Sequence, residues 1–296
     1  MESSDRAKQV NQKIMELKTF PVQVNANEIK ENNTTSNNTQ SKQTKEQIIN
    51  QAFKYHSQGQ ISEAIKYYQY FLDQGFKDPR VFSNYGVILK QKGQTEKAIE
   101  LYKKSINSFP NISDAYSNLG NILKDLDQLN DAELYLRKAI ELNPGFAEAH
   151  NNLGSVLKDL GKLRDAELSI RKAIELEPNF NEAHLNLGGI FNSLGKLKDA
   201  EISTRKAIEL KPDFAEAYFN LGTILADLGN TNEAAFSLRK AIELKPDYVE
   251  ALYSLGLRLK DIGKSKEAIN YWEKAVKIKP EFNQLVLSLS RHLFNN

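Results

Sequence analysis

The chain has 296 residues, no cysteine, a formal net charge of +2 and 40% hydrophobic residues. Without a thiol there is no disulfide framework, thiolate metal site or cysteine nucleophile, and forty basic against thirty-eight acidic side chains leave no excess for tracking a phosphate backbone. No stretch approaches the roughly 18 apolar residues of a membrane helix, and the start, MESSDRAKQV, lacks the basic-then-apolar order of a signal peptide, so the expectation is a cytoplasmic protein that engages neither nucleic acid nor membrane.

Residues 1–44 are read as a tail. Val10, Ile14 and Leu17 have the spacing of a short amphipathic helix leading to Phe20-Pro21-Val22, whereas residues 25–44 hold six Asn and four Thr with hardly an apolar group. That composition cannot offset the entropy of ordering, and disorder is expected there. The tail reads either as a solvated extension or as a short docking segment.

From residue 45 the sequence repeats. Twelve of the fifteen glycines fall into two columns spaced by 34 residues: Gly86, Gly120, Gly154, Gly188, Gly222 and Gly256, and then Gly59, Gly93, Gly161, Gly195, Gly229 and Gly263, with Asp127 in the one missing place. Alanine holds a third column from Ala64 to Ala268, and proline a fourth from Pro110 to Pro280. Self-similarity at this period is the mark of stacked helix-turn-helix units. Within residues 147–180, Leu153 and Leu157 make one apolar stripe, and Ile170 and Ile174 with the small Ala166 and Ala173 make a second that must face it. Gly154 and Ala166 permit close approach of the two helices, Gly161 suits the end of the first, and Pro178 stops the second.

On these residues the chain resembles the tetratricopeptide repeat family. Seven units are predicted, 45–78, 79–112, 113–146, 147–180, 181–214, 215–248 and 249–282; the first is the weakest, with Ala52 at the glycine site and Phe76 at the proline site. The resemblance implies an all-α, right-handed superhelical solenoid. Residues 283–296, with Val286, Leu289 and Leu293 at helical spacing, are read as a closing helix.

Tail, repeats and closing helix use up the sequence, so no catalytic residue, metal site or cofactor is predicted. His150 and His184 occupy the site that holds Phe82, Tyr116 and Tyr218 in other units, which suits packing rather than ligation, and Gly188-Gly189 lacks the Lys-Ser/Thr of a phosphate loop. The column without an evident packing reason is asparagine: Asn84, Asn118, Asn152, Asn186 and Asn220, with Ser254 in the last unit. Helix interiors disfavour Asn, and an amide turned into an inner groove could pair with the main chain of an extended peptide. The competing reading is that the amides merely bridge neighbouring helices. Leu185, Phe219, Tyr253 and Leu257 make the C-terminal part of that groove apolar, with Phe219 and Tyr253 as candidate anchors. Asp114, Glu148, Glu182, Glu216 and Glu250 recur at the start of first helices, where they complement the helix dipole and would repel a terminal carboxylate.

The asparagine column and the text AEAHNNLGSVLKDLGKLRDAE are similar to the repeat arm of the O-linked N-acetylglucosamine transferases, which implies a recognition arm here without the catalytic region. The expected function is a protein or peptide-binding scaffold. Two rivals remain: a substrate-recognition subunit for a separate modifying enzyme, and a structural solenoid that associates end to end.

Overall fold

A computed structural model describes residues 43–282, so the expected tail helix and disorder before residue 43 and the closing helix over 283–296 lie outside the described residues. Fourteen α-helices and no strand occur among the described residues, and they divide into two compact units, one ending at Asp127 and the other starting at Gln128. The all-α expectation holds.

The first unit comprises α1 (Lys45–Ser57), α2 (Ile61–Asp73), α3 (Pro79–Gln91), α4 (Thr95–Ser108) and α5 (Ser113–Asp125). Thr44 opens α1 with a capping box, its hydroxyl accepting from the Gln47 N–H while the Gln47 side chain accepts from the Thr44 N–H. Asp78 caps α3 ahead of Pro79; burial works against its charge, but the Arg80 guanidinium, donating through Nε at 3.0 Å and Nη2 at 2.9 Å, holds its carboxyl below the usual range. Helix α1 packs on α2, and α3 on both α4 and α5. The core of this unit is aromatic at its first hairpin: Tyr68 and Phe71 are fully buried, Tyr68 stacks on Tyr85 at 5.7 Å, and Phe76, in the place where other units have proline, packs on Phe71 at 5.4 Å.

The second unit comprises α6 (Leu129–Leu142), α7 (Ala147–Asp159), α8 (Leu163–Leu176), α9 (Asn181–Ser193), α10 (Leu197–Leu210), α11 (Ala215–Asp227), α12 (Thr231–Leu244), α13 (Val249–Asp261) and α14 (Ser265–Ile278). Hairpins α7/α8, α9/α10, α11/α12 and α13/α14 stack so that α7, α9, α11 and α13 are neighbours in that order. Each hairpin turns the same way. Gly161 adopts φ 74°, its N–H bonding Lys158 O while the Lys162 N–H reaches back to Leu157 O, so two carbonyls that α7 would leave open are satisfied. In the first unit the place without glycine is taken by Asp127, which adopts the same left-handed backbone at φ 59°.

The glycine column from Gly86 to Gly256 works by absence of volume. A Cβ on Gly154 would lie 2.5 Å from Ile170 Cδ1 and 3.2 Å from the Ala166 carbonyl. The helices are therefore closer than any side chain at that site would permit. Closing this distance buries Leu157 and Ile170, each contributing roughly 1.5–3 kcal/mol by leaving water.

Candidate functional site

The five asparagines lie on the first helix of their hairpins, one per helix from α3 to α11, and all are half-buried. Their amides are not equivalent. In the first unit Asn118 Nδ2 donates to Ser83 Oγ at 3.2 Å, and Asn84 lies beside the Tyr68 hydroxyl, which is 3.0 Å from His56 Nδ1 and whose ionisation burial opposes. In the second unit Asn186 Nδ2 donates to Asn151 Oδ1 at 2.9 Å, and Asn151 is itself buried. The side chains of Asn152 and Asn220 form no hydrogen bond among the described residues.

The two bonds share one offset: each donor reaches the residue 35 positions earlier, one place before the preceding asparagine. For Asn220 the corresponding residue is Leu185, which is buried against Ala217 and Phe214 and offers no acceptor. Asn186 spends one N–H on α7 and retains its second N–H and its carbonyl. The row thus bridges first helices at some steps and leaves unspent amides at others.

Phe219 and Tyr253 are half-buried and pack against the cluster formed by Leu238, Leu255, Leu259 and Trp272. Phe219 also lies 5.0 Å from the Tyr248 ring. The acidic first turns surround this point: burial, then the charges of Glu216 and Glu250, push the Tyr248 hydroxyl up to about 12. Glu216 is within 3.4 Å of Lys245 Nζ, which itself sits over the Tyr248 ring, so part of the acidic lining is already neutralised. In the first unit Lys90 is similarly committed to Asp125 at 2.7 Å.

His150 and His184 are each tied to the main chain of the preceding joint. His150 Nε2 lies 3.1 Å from Pro144 O and His184 Nε2 lies 3.0 Å from Pro178 O. A carbonyl only accepts, so Nε2 carries the proton in both. Burial holds the His150 ring below its usual pKa, with the Pro144 bond acting the other way. Among the described residues no cluster of His, Asp and Glu could hold a metal ion, and no helix is long and apolar enough to cross a membrane.

Sequence reasoning overlooked four exposed apolar residues on second helices, Leu134, Leu168, Ile202 and Phe236. Their signal was present. They repeat at 34 residues, and each stands two places from buried alanine and two from the buried core residue, hence on the wrong face for the core.

The comparisons with known proteins bear on the family and the repeat architecture. A family model described as cilia and flagella-associated protein 70 C-terminal domain matches residues 9–250, and a tetratricopeptide repeat model matches residues 249–282. The chain belongs to that C-terminal-domain family of tetratricopeptide repeat proteins. Its fold is that of a tetratricopeptide solenoid, an architecture of protein–protein interaction scaffolds. A tetratricopeptide repeat protein from Parabacteroides merdae is similar at TM-score 0.66 and 16% identity, over 83% of this chain and 98% of that one. PilF from Pseudomonas aeruginosa is similar at TM-score 0.61 and 19% identity, over 68% and 92%. A thermophilic repeat protein from Thermus thermophilus is similar at TM-score 0.54 and 22% identity, over 62% and 99%. At such identities the likeness is one of fold. A comparison with curated proteins gives no match.

Proposed function

We propose that this tetratricopeptide protein is a non-catalytic cytoplasmic scaffold that binds an extended segment of a partner protein along the first helices of the second unit. Asn152, Asn186 and Asn220 supply main-chain hydrogen bonds, and Phe219 and Tyr253 supply an apolar anchor. The supporting observation is the unspent capacity of half-exposed amides at Asn152 and Asn220, two positions where the fold itself takes no hydrogen bond from the side chain. Each added bond contributes about 0.5–1.5 kcal/mol net, which makes capture weak to moderate. In the first unit Asn118 already spends one N–H on Ser83.

The test is selection of peptides from a displayed random library against the full chain. Peptides enriched by the wild type should be lost with Asn152→Ala/Asn220→Ala while the melting temperature stays unchanged, because neither amide is engaged in the fold. Undiminished capture by that double variant sinks the proposal. Asn186→Ala is a less clean probe, since it also leaves buried Asn151 without its donor and should cost about 1 kcal/mol of stability.

The reading as a substrate-recognition subunit rests on the sequence likeness to the glycosyltransferase repeat arm, and co-purification of a catalytic partner would favour it. End-to-end association would rest on residues 283–296, outside the described chain.

A further inference from the structure

We infer that the outward face of the second helices in the second unit is a self-association surface, on which two copies of this chain pair about a two-fold axis running along the stack. Leu134 on α6 is 66% exposed, Leu168 on α8 and Ile202 on α10 68%, and Phe236 on α12 71%. Single exposed apolar residues need no explanation, but one per repeat over four consecutive hairpins makes a continuous row. Between the ridges the surface is also apolar at depth. A pocket of about 670 Å³ next to Phe236 has Ile208, Tyr218 and Leu221 on its walls, and its counterpart one repeat earlier, about 480 Å³, lies next to Ile202.

What selects a second copy as the occupant is charge order. Along α8 the outward residues are Asp165, Leu168 and Arg171, three apart and therefore neighbours along an oblique ridge of the helix; α10 repeats them as Asp199, Ile202 and Arg205. Helix α6 keeps the order with Asp131 and Arg137 around its leucine, and α12 keeps it with Glu233 and Arg239 around its phenylalanine. Each apolar residue thus has an acid on its N-terminal side and an arginine on its C-terminal side. The order is confined to these helices: the equivalent residues are Glu63, Lys66 and Gln69 on α2, Lys97, Glu100 and Lys103 on α4, and Glu267, Asn270 and Glu273 on α14. Among the described residues Asp131, Asp165 and Asp199 are in no ion pair, whereas Arg137, Arg171, Arg205 and Arg239 each hold a glutamate within the chain, Glu233 being one of those of Arg205, and would share their second face with the partner copy.

Acid–apolar–Arg is complementary to itself reversed. When a second copy faces the row with its helices antiparallel, apolar meets apolar and every acid meets an arginine; with helices parallel, acid would meet acid. Exposed ion pairs add little energy, so the apolar row supplies the affinity and the charges fix the direction.

Sedimentation of the full chain over a concentration series tests this, with circular dichroism confirming that each variant remains folded. The wild type should form a dimer, and Leu168→Glu/Ile202→Glu should weaken it by at least about tenfold without loss of helicity, since both side chains are solvent-exposed. Asp165→Arg/Asp199→Arg and Arg171→Asp/Arg205→Asp should each weaken the homodimer, whereas an equimolar mixture of the two should recover it as a heterodimer. Three results overturn the inference. One is a wild type that stays monomeric throughout. Another is a dimer indifferent to these changes or not recovered on mixing. The third is a monomer whose row is covered by the chain's own residues 1–22, seen as cross-links from Lys8 or Lys13 to Lys172 or Lys206.

Discussion

Hairpins α9/α10 and α13/α14 share their fold, their glycine and their alanine, yet they fill the space between helices in opposite ways. In α13/α14 the residue facing Gly256 is Trp272, fully buried, whose indole Nε1 donates to Tyr253 O at 3.1 Å. In α9/α10 the residue facing Gly188 is Thr204, also fully buried, whose hydroxyl has no hydrogen-bond partner among the described residues. The same slot therefore accepts a side chain of less than half the volume. Helix separation is set by the glycine, with the Ala200 carbonyl close to it in α9/α10, and the facing residue determines how well the slot is used and whether its polar atoms are satisfied.

Substitutions at the glycine and at the residue facing it can break or sharpen this contrast. Trp272→Ala should have the largest effect, a loss of about 3–5 kcal/mol measured by chemical denaturation, because it empties the slot and removes the bond to Tyr253. A loss no greater than that of Thr204→Ala would mean that the slot is not what holds the hairpin together. Next comes the glycine itself: Gly256→Ala drives a methyl onto an immobile indole and should cost about 1–3 kcal/mol. At Gly188 the methyl meets a small hydroxyl side chain first, with the Ala200 carbonyl next at 3.2 Å, so the cost should be smaller. Equal melting shifts for the two alanines would refute the assignment of spacing and filling to different residues. The smallest effect should be a gain. Thr204→Val removes an unpartnered buried hydroxyl at nearly constant shape and should raise stability by about 1 kcal/mol; a drop in melting temperature would show that the hydroxyl is paired in solution.

The hairpins were legible in the sequence because each depends on contacts within one 34-residue interval. Gly161 marks its turn and Leu157 and Ile170 mark the facing stripes without reference to distant residues. Even the gap at Asp127 could be assigned, and its left-handed backbone supplies the reason. The amide row was only half legible. That Asn118 and Asn186 occupy one helix face followed from spacing, but their bonds run to Ser83 and Asn151 on the preceding first helix, partners that a column read down one position does not reveal. The outward row was missed for a different physical reason. Counting Leu and Ile as core assumes that apolar residues on an amphipathic helix lie on one stripe, and Leu134, Leu168, Ile202 and Phe236 lie on the other side of theirs.

The histidine bonds to Pro144 and Pro178 have a further consequence. An imidazole keeps its Nε2 proton whether or not Nδ1 gains one, so each ring can go on holding the proline carbonyl after the solution is acidified. At the joint that leads into α7, burial opposes a charge on His150, so acidification works against the local electrostatics while leaving this fastening between one repeat and the next in place.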